Sequence, residues 1–269
     1  MPVDWESLPT EELLDVRMCE LGLTVTDTWL EDCVHRLREE LDDAGLRRFR
    51  VHTWLSDEWC SPDQVPGVGI PFYLAHPRLI RLERHMMFEV EGGTRAECMR
   101  LLRHEAGHAL QHAYNLQRRK LWQRAFGKAS DPYPDFYRPN PLSKGFVEHL
   151  DGWYAQAHPV EDFAETFAVW LAPRSNWRTQ YASSTALGKL EYIDSLAEDL
   201  SDKKPQVSSR ARPYSLPQLR HTLRRHYERR QEHYSPGFSD EYDRDLLKIF
   251  SDSARYRNNE TAASFLRRN

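Results

Sequence analysis

Apolar residues recur every three or four positions over much of the chain, the spacing of helices with one buried face. Residues 9–20 and 28–44 read as two helices. In the second, Trp29, Cys33, Leu37 and Leu41 fall four apart, and Gly45 stands where a left-handed C-terminal cap belongs. RRFRVHTWLS, residues 47–56, has the character of a strand. After the turn-rich CSPDQVPGVG, the stretch IPFYLAHPRLIRLERH reads as extended, with residues 76–84 as an edge strand open to backbone addition by a peptide. Thr94 and Glu97 form a capping box ahead of a helix carrying RLLRHEAGHALQHAYNL, residues 100–116. Residues 127–158, rich in Pro, Tyr, Asp and Asn, read as one long ordered loop, and such loops in compact chains generally serve function. HPVEDFAETFAVWL opens another helix with Pro159 in its first turn. Near the end, Leu216, Leu219, Leu223 and Tyr227 make a narrow apolar stripe on an arginine-rich helix.

At 269 residues the chain is long enough for one large domain, and 40% hydrophobic residues suffice to fill its core. The 29% of charged residues and the lack of a long apolar run point to a soluble protein with no membrane partner. The acidic N-terminus shows no secretory signal. Cys19, Cys33, Cys60 and Cys98 are scattered with no CxxC pair, which predicts free thiols in a reducing, cytoplasmic setting. Net charge is only −4, so no strong polyanion partner is implied. Charge is nonetheless divided: residues 1–44 hold thirteen acidic and three basic side chains, and residues 203–233 hold nine basic and two acidic. The basic stretch reads as a helix docked on the core, with nucleic acid binding as the rival use.

Chemistry concentrates in HEAGH. His104 and His108 lie one helical turn apart, so their rings can converge on one ion, while Glu105 points aside to reach a water near it. Gly107 sits mid-helix at a cost of about 1 kcal/mol relative to alanine, which close packing beneath a site would explain. A hydrolytic zinc site wants a third protein ligand. His112 follows on the same face but too far along to share the ion, and Gln111 and Tyr114 stand where a metzincin motif needs glycine and histidine. His112 is therefore expected at the surface or in support of the ligands.

The remaining source is the second helix. Val160, Phe163, Ala164, Phe167 and Leu171 form its apolar stripe, and Glu161 and Glu165 stand one turn apart on the adjoining face. Glu161 is the expected third ligand. Glu165 is the expected acceptor for the far nitrogen of His104 or His108, fixing that ring's tautomer.

HEAGH followed by HPVEDFAETFAVWL resembles the bacterial zinc-binding metallopeptidases that carry a comparable HPxEDFAETxA stretch. The E-x-x-x-E spacing is also similar to gluzincins of the lethal-factor type. The likeness covers residues 70–172. It implies an α+β, mostly helical zincin-like domain with a small mixed sheet. On that basis residues 1–200 would be the catalytic domain, including the N-terminal helices, and residues 201–269 a helical C-terminal extension packed on it. It also implies Zn²⁺ as cofactor on His104, His108 and Glu161, Glu105 as general base, Glu165 in support, and a peptide or protein as substrate. Lethal-factor-type sites place a tyrosine seven residues before the ligand glutamate, the position of Tyr154, whose phenol would donate to the developing oxyanion. His149 and His158 are further candidates for that task. A zincin scaffold that binds without turnover and a nucleic-acid-associated protein are the alternatives.

Overall fold

The computed structural model describes residues 4–134, 137–234 and 250, so the expected extension beyond residue 234, Phe250 apart, lies outside the described residues. The fold is mostly helical around one short pair of strands. Helix α1 (Thr10–Leu14) leads into α2 (Trp29–Asp43), which Thr28 caps by accepting the Leu30 N–H; Gly45, at φ 84°, turns the chain out of it. The strands β1 (His52–Ser56) and β2 (Gly67–Pro71) pair in parallel, His52 against Gly67 and Ser56 against Pro71. Antiparallel bridges widen this pair on both sides. Cys60 joins Gly69 on the outer side of β2, and Ser215 joins Ser56 on the outer side of β1. Along β1, His52 Nε2 also meets Ala211 O at 3.0 Å and Trp54 Nε1 donates to Pro213 O at 3.0 Å, so residues 211–215 seal that edge.

Then follow α3 (Pro77–Met87), α4 (Arg95–Tyr114), α5 (Lys120–Phe126), α6 (Pro159–Leu171), α7 (Trp177–Gln180), α8 (Leu187–Leu200) and α9 (Leu223–Tyr234). Helix α4 is the centre of the molecule, packed against α6, α2 and β2, and α8 lies on the far side of α6. One buried cluster runs from Trp5 and Leu13 through Leu37, Ile70, Leu102 and Phe163 to Leu223 and Tyr227. A smaller one, around Val147, Trp177 and Leu190, lies between the long loop and α8.

The structure departs from the sequence reading in several places: Gly67–Gly69 of the stretch read as a turn-rich loop belong to β2, and Phe72–Ala75 of the stretch read as extended form a 3₁₀ turn. Residues 76–84 are not an edge strand. Pro77 takes the first helical position, His76 Nδ1 accepts the Arg78 N–H, and Leu79, Leu82 and Glu83 form the buried face of α3. The helix expected over 9–20 breaks after Leu14, because Met18 and Cys19 donate their amides to His221 O and Leu219 O instead of to their own turn. Residues 47–51 precede β1 rather than belong to it. The stripe from Leu216 to Tyr227 is not one helix. Leu216–Gln218, containing Pro217, is a single 3₁₀ turn, and Leu219 is extended before α9 begins. Leu216, Leu223 and Tyr227 still reach the main core.

Candidate metal centre

Two helix starts place the centre. At the head of α4, Thr94 Oγ1 accepts the Glu97 N–H and the Glu97 carboxylate accepts the Thr94 N–H, each at 3.2 Å, closing the capping box. At the head of α6, His158 Nδ1 accepts the Val160 N–H and Pro159 fills the first turn. The helices meet where Gly107 faces Ala164. A Cβ added to Gly107 would come within 2.9 Å of Ala164 Cα and 3.2 Å of Phe167 Cδ1. That close approach accounts for a glycine inside a helix and brings the α4 histidines onto the first turn of α6.

His104 Nε2 and His108 Nε2 lie 3.1 Å apart, and Glu161 Oε2 stands 3.2 Å from the first and 3.1 Å from the second. Behind them, His104 Nδ1 lies 2.8 Å from Glu165 Oε1, and Glu165 Oε2 accepts the Leu150 N–H at 2.8 Å. A carboxylate only accepts, so Nδ1 of His104 keeps a proton for Glu165, and Nε2 offers its lone pair to the centre once the ring gives up its second proton. Burial pushes the His104 imidazole down, but Glu161 and Glu165 more than offset it and hold a proton on the ring up to about 10. A cation binding here must displace that proton.

Glu105, one position along α4, is buried beside this group, and burial pushes its carboxyl above the ordinary glutamate value against the opposing pull of His108 and His104. Tyr154 reaches the centre from the loop, its ring 5.8 Å from that of His104. Burial, with Glu161 and Glu105 nearby, raises its phenol, so it stays protonated at neutral pH. All of these except Glu165 line one open cleft of about 980 Å³, together with the Glu58–Ser61 segment, the Phe88–Thr94 turn and Tyr133.

The other histidines take structural places. His112 is buried rather than at the surface, 3.7 Å from Asp63, outside the convergent group. His149 Nε2 lies 3.0 Å from Arg100 O, and His158 Nε2 lies 2.8 Å from Asp131 O, so backbone carbonyls occupy both rings. Two residues near the centre carried no signal in the spacing. Tyr133 donates its hydroxyl to Glu161 Oε1 at 2.6 Å. Asp162 takes an ion pair from Lys189 at 2.6 Å, and Lys189 also donates to Gly145 O, tying the loop and α8 to the turn that bears Glu161. Burial pushes the Asp162 carboxyl up to about 7 despite that lysine.

Among the described residues, His104, His108 and Glu161 are the group whose ligand atoms gather closely enough for one metal ion, all within 4.8 Å of one another. Two imidazole nitrogens and one carboxylate oxygen, aimed at a common point and open to a cleft, fit zinc in a site that keeps a position free. No curated protein and no solved structure matches the chain. A family sequence model described as "Putative zinc-binding metallo-peptidase" matches residues 96–233, about half the chain and the part that holds both site helices. The chain belongs to this zinc-binding metallopeptidase family.

Proposed function

We propose that the chain hydrolyses peptide bonds as a zinc peptidase of the HExxH-plus-glutamate, gluzincin type, with His104, His108 and Glu161 as ligands. The observation that carries this is the convergence of those three ligand atoms beside a buried Glu105 on the wall of a cleft. Zinc, when bound, supplies a Lewis acid that polarises the substrate carbonyl and lowers the pKa of water toward about 7. Glu105 takes the proton of the attacking water and passes it to the leaving nitrogen, and its raised affinity for a proton favours the first transfer. Tyr154 donates to the carbonyl oxygen as that oxygen gains charge. Glu165 holds the His104 ring in the tautomer that leaves Nε2 free. A cleft of about 980 Å³ has room for several residues of an extended peptide. The four free thiols support a reducing, cytoplasmic setting for this chemistry.

Glu105→Gln tests the reading. The amide fills the same space but cannot accept the proton, so the variant should hold about one zinc per chain by elemental analysis and lose cleavage of a peptide library. Cleavage at the parent's rate would remove Glu105 as the base.

A further inference from the structure

Glu161 uses its two oxygens differently. Oε2 faces the Nε2 atoms of His104 and His108, whereas Oε1 is turned away and accepts the Tyr133 hydroxyl at 2.6 Å. A carboxylate with both oxygens free can bind a cation through both, so what holds Oε1 affects how many positions remain on the ion.

Tyr133 is held in register with Glu161 rather than wedged into a core. Its residue is 56% exposed, so burial of the ring does not explain where it sits. The ring stacks on His158 at 3.8 Å, with the planes 13° apart. His158 is itself fixed at both nitrogens. Nδ1 accepts the Val160 amide, which leaves the proton on Nε2, and Nε2 donates to Asp131 O, two residues before Tyr133. The loop around the tyrosine is thereby tied to the first turn of α6, three residues from Glu161. These contacts hold the phenol at the carboxylate.

We infer that Tyr133 is a positioning residue that reserves Oε1 of Glu161, limits this ligand to one oxygen on the metal, and so keeps a coordination position open for water and substrate. The inference rests on the zinc-peptidase reading above. It makes one residue of the long loop part of the metal centre's design and assigns it a task distinct from that of Tyr154.

The test loads the parent and Tyr133→Phe with Co²⁺ alone and follows the visible absorption of the ion, which weakens as coordination rises from four to five. Phenylalanine keeps the stack on His158 and removes only the hydroxyl. The expected result is equal melting temperatures, a weaker cobalt spectrum in the variant, and azide binding at the open position about tenfold weaker, the scale on which such supporting partners act. An unchanged spectrum and azide affinity would overturn the inference. An early-melting variant with an unchanged spectrum would make Tyr133 a loop anchor and overturn it equally. A parent that takes up no Co²⁺ would sink the metal reading itself, and this one with it.

Discussion

Trp153 holds φ at 52°, directly after Gly152 at 77°, so two left-handed residues stand together just before Tyr154. For a tryptophan that conformation costs roughly 1–2 kcal/mol, and it turns the chain so that the next ring lies beside His104. If the phenol acts only as charge develops on the substrate oxygen, Tyr154→Phe should lower kcat by ~10²–10³ with little change in KM. Zinc content and melting should stay at the parent's level, since the ring remains. Steady-state kinetics on a cleaved peptide decides. A kcat within about threefold, far short of that donor effect, would take Tyr154 out of the chemistry, and His158, with backbone partners on both ring nitrogens, could not replace it. His104, His108 and Glu161 were legible because a four-residue spacing on a helix dictates which side chains share a face. Tyr133 was not. It meets Glu161 across 28 positions of irregular chain, where no period links sequence to space.

At the scale of elements, the contact of α4 with α6 decides whether there is a site. Gly107→Ala would gain about 1 kcal/mol of helix propensity and lose more, because the new methyl meets the Ala164 backbone, which cannot rotate aside. The expected net effect is a destabilisation of about 1–2 kcal/mol, read in a denaturant melt, with weaker zinc retention in a chelator competition as the ligand helices separate. An equally stable variant that holds its zinc as tightly would show that the helices do not need this contact. The capping box of α4 and Pro159 of α6 were readable because caps are local chemistry. Residues 76–84 misled because their short apolar run fits a strand as well as a helix face. Burial of Leu79 and Leu82 against the rest of the molecule settles that choice.

The whole molecule brings the divided charges together. Arg224 of α9 pairs with Asp15 at 2.8 Å and with Glu11 at 3.3 Å, and Arg230 with Glu83 at 2.6 Å, so the basic stretch closes partly onto acidic chain from the N-terminal side. Between these arginines His226 is buried with its Nε2 unpartnered and its ring edge-on to Phe72. Burial first, then Arg230, His221 and Arg229, hold its pKa down at about 3. Unfolded, the same ring titrates near 6.5. Above that pH neither state binds the proton. Below it the unfolded chain does and the folded chain does not, so stability falls with acid until about pH 3. Between pH 7 and 5 the loss from this residue should be on the order of 2 kcal/mol. His226→Phe should remove that share of the acid sensitivity, and parallel pH profiles of the melting temperature for parent and variant would refute it.

The strip of residues 211–215 along the outer side of β1 has a consequence for how the protein is made. Ser56 finds its bridging partner 159 positions later in the chain. During synthesis the sheet's neighbours in sequence, together with α3, α4 and α6, have left the ribosome well before that strip appears. For that interval the β1 edge stands open with its backbone groups unpaired, a state in which nascent chains associate with one another. Closure pairs residues far apart in sequence, the kind of contact whose loop-closure entropy slows folding. His104, His108 and Glu161 are already synthesised when it happens, so this group can gather before the sheet behind it is sealed.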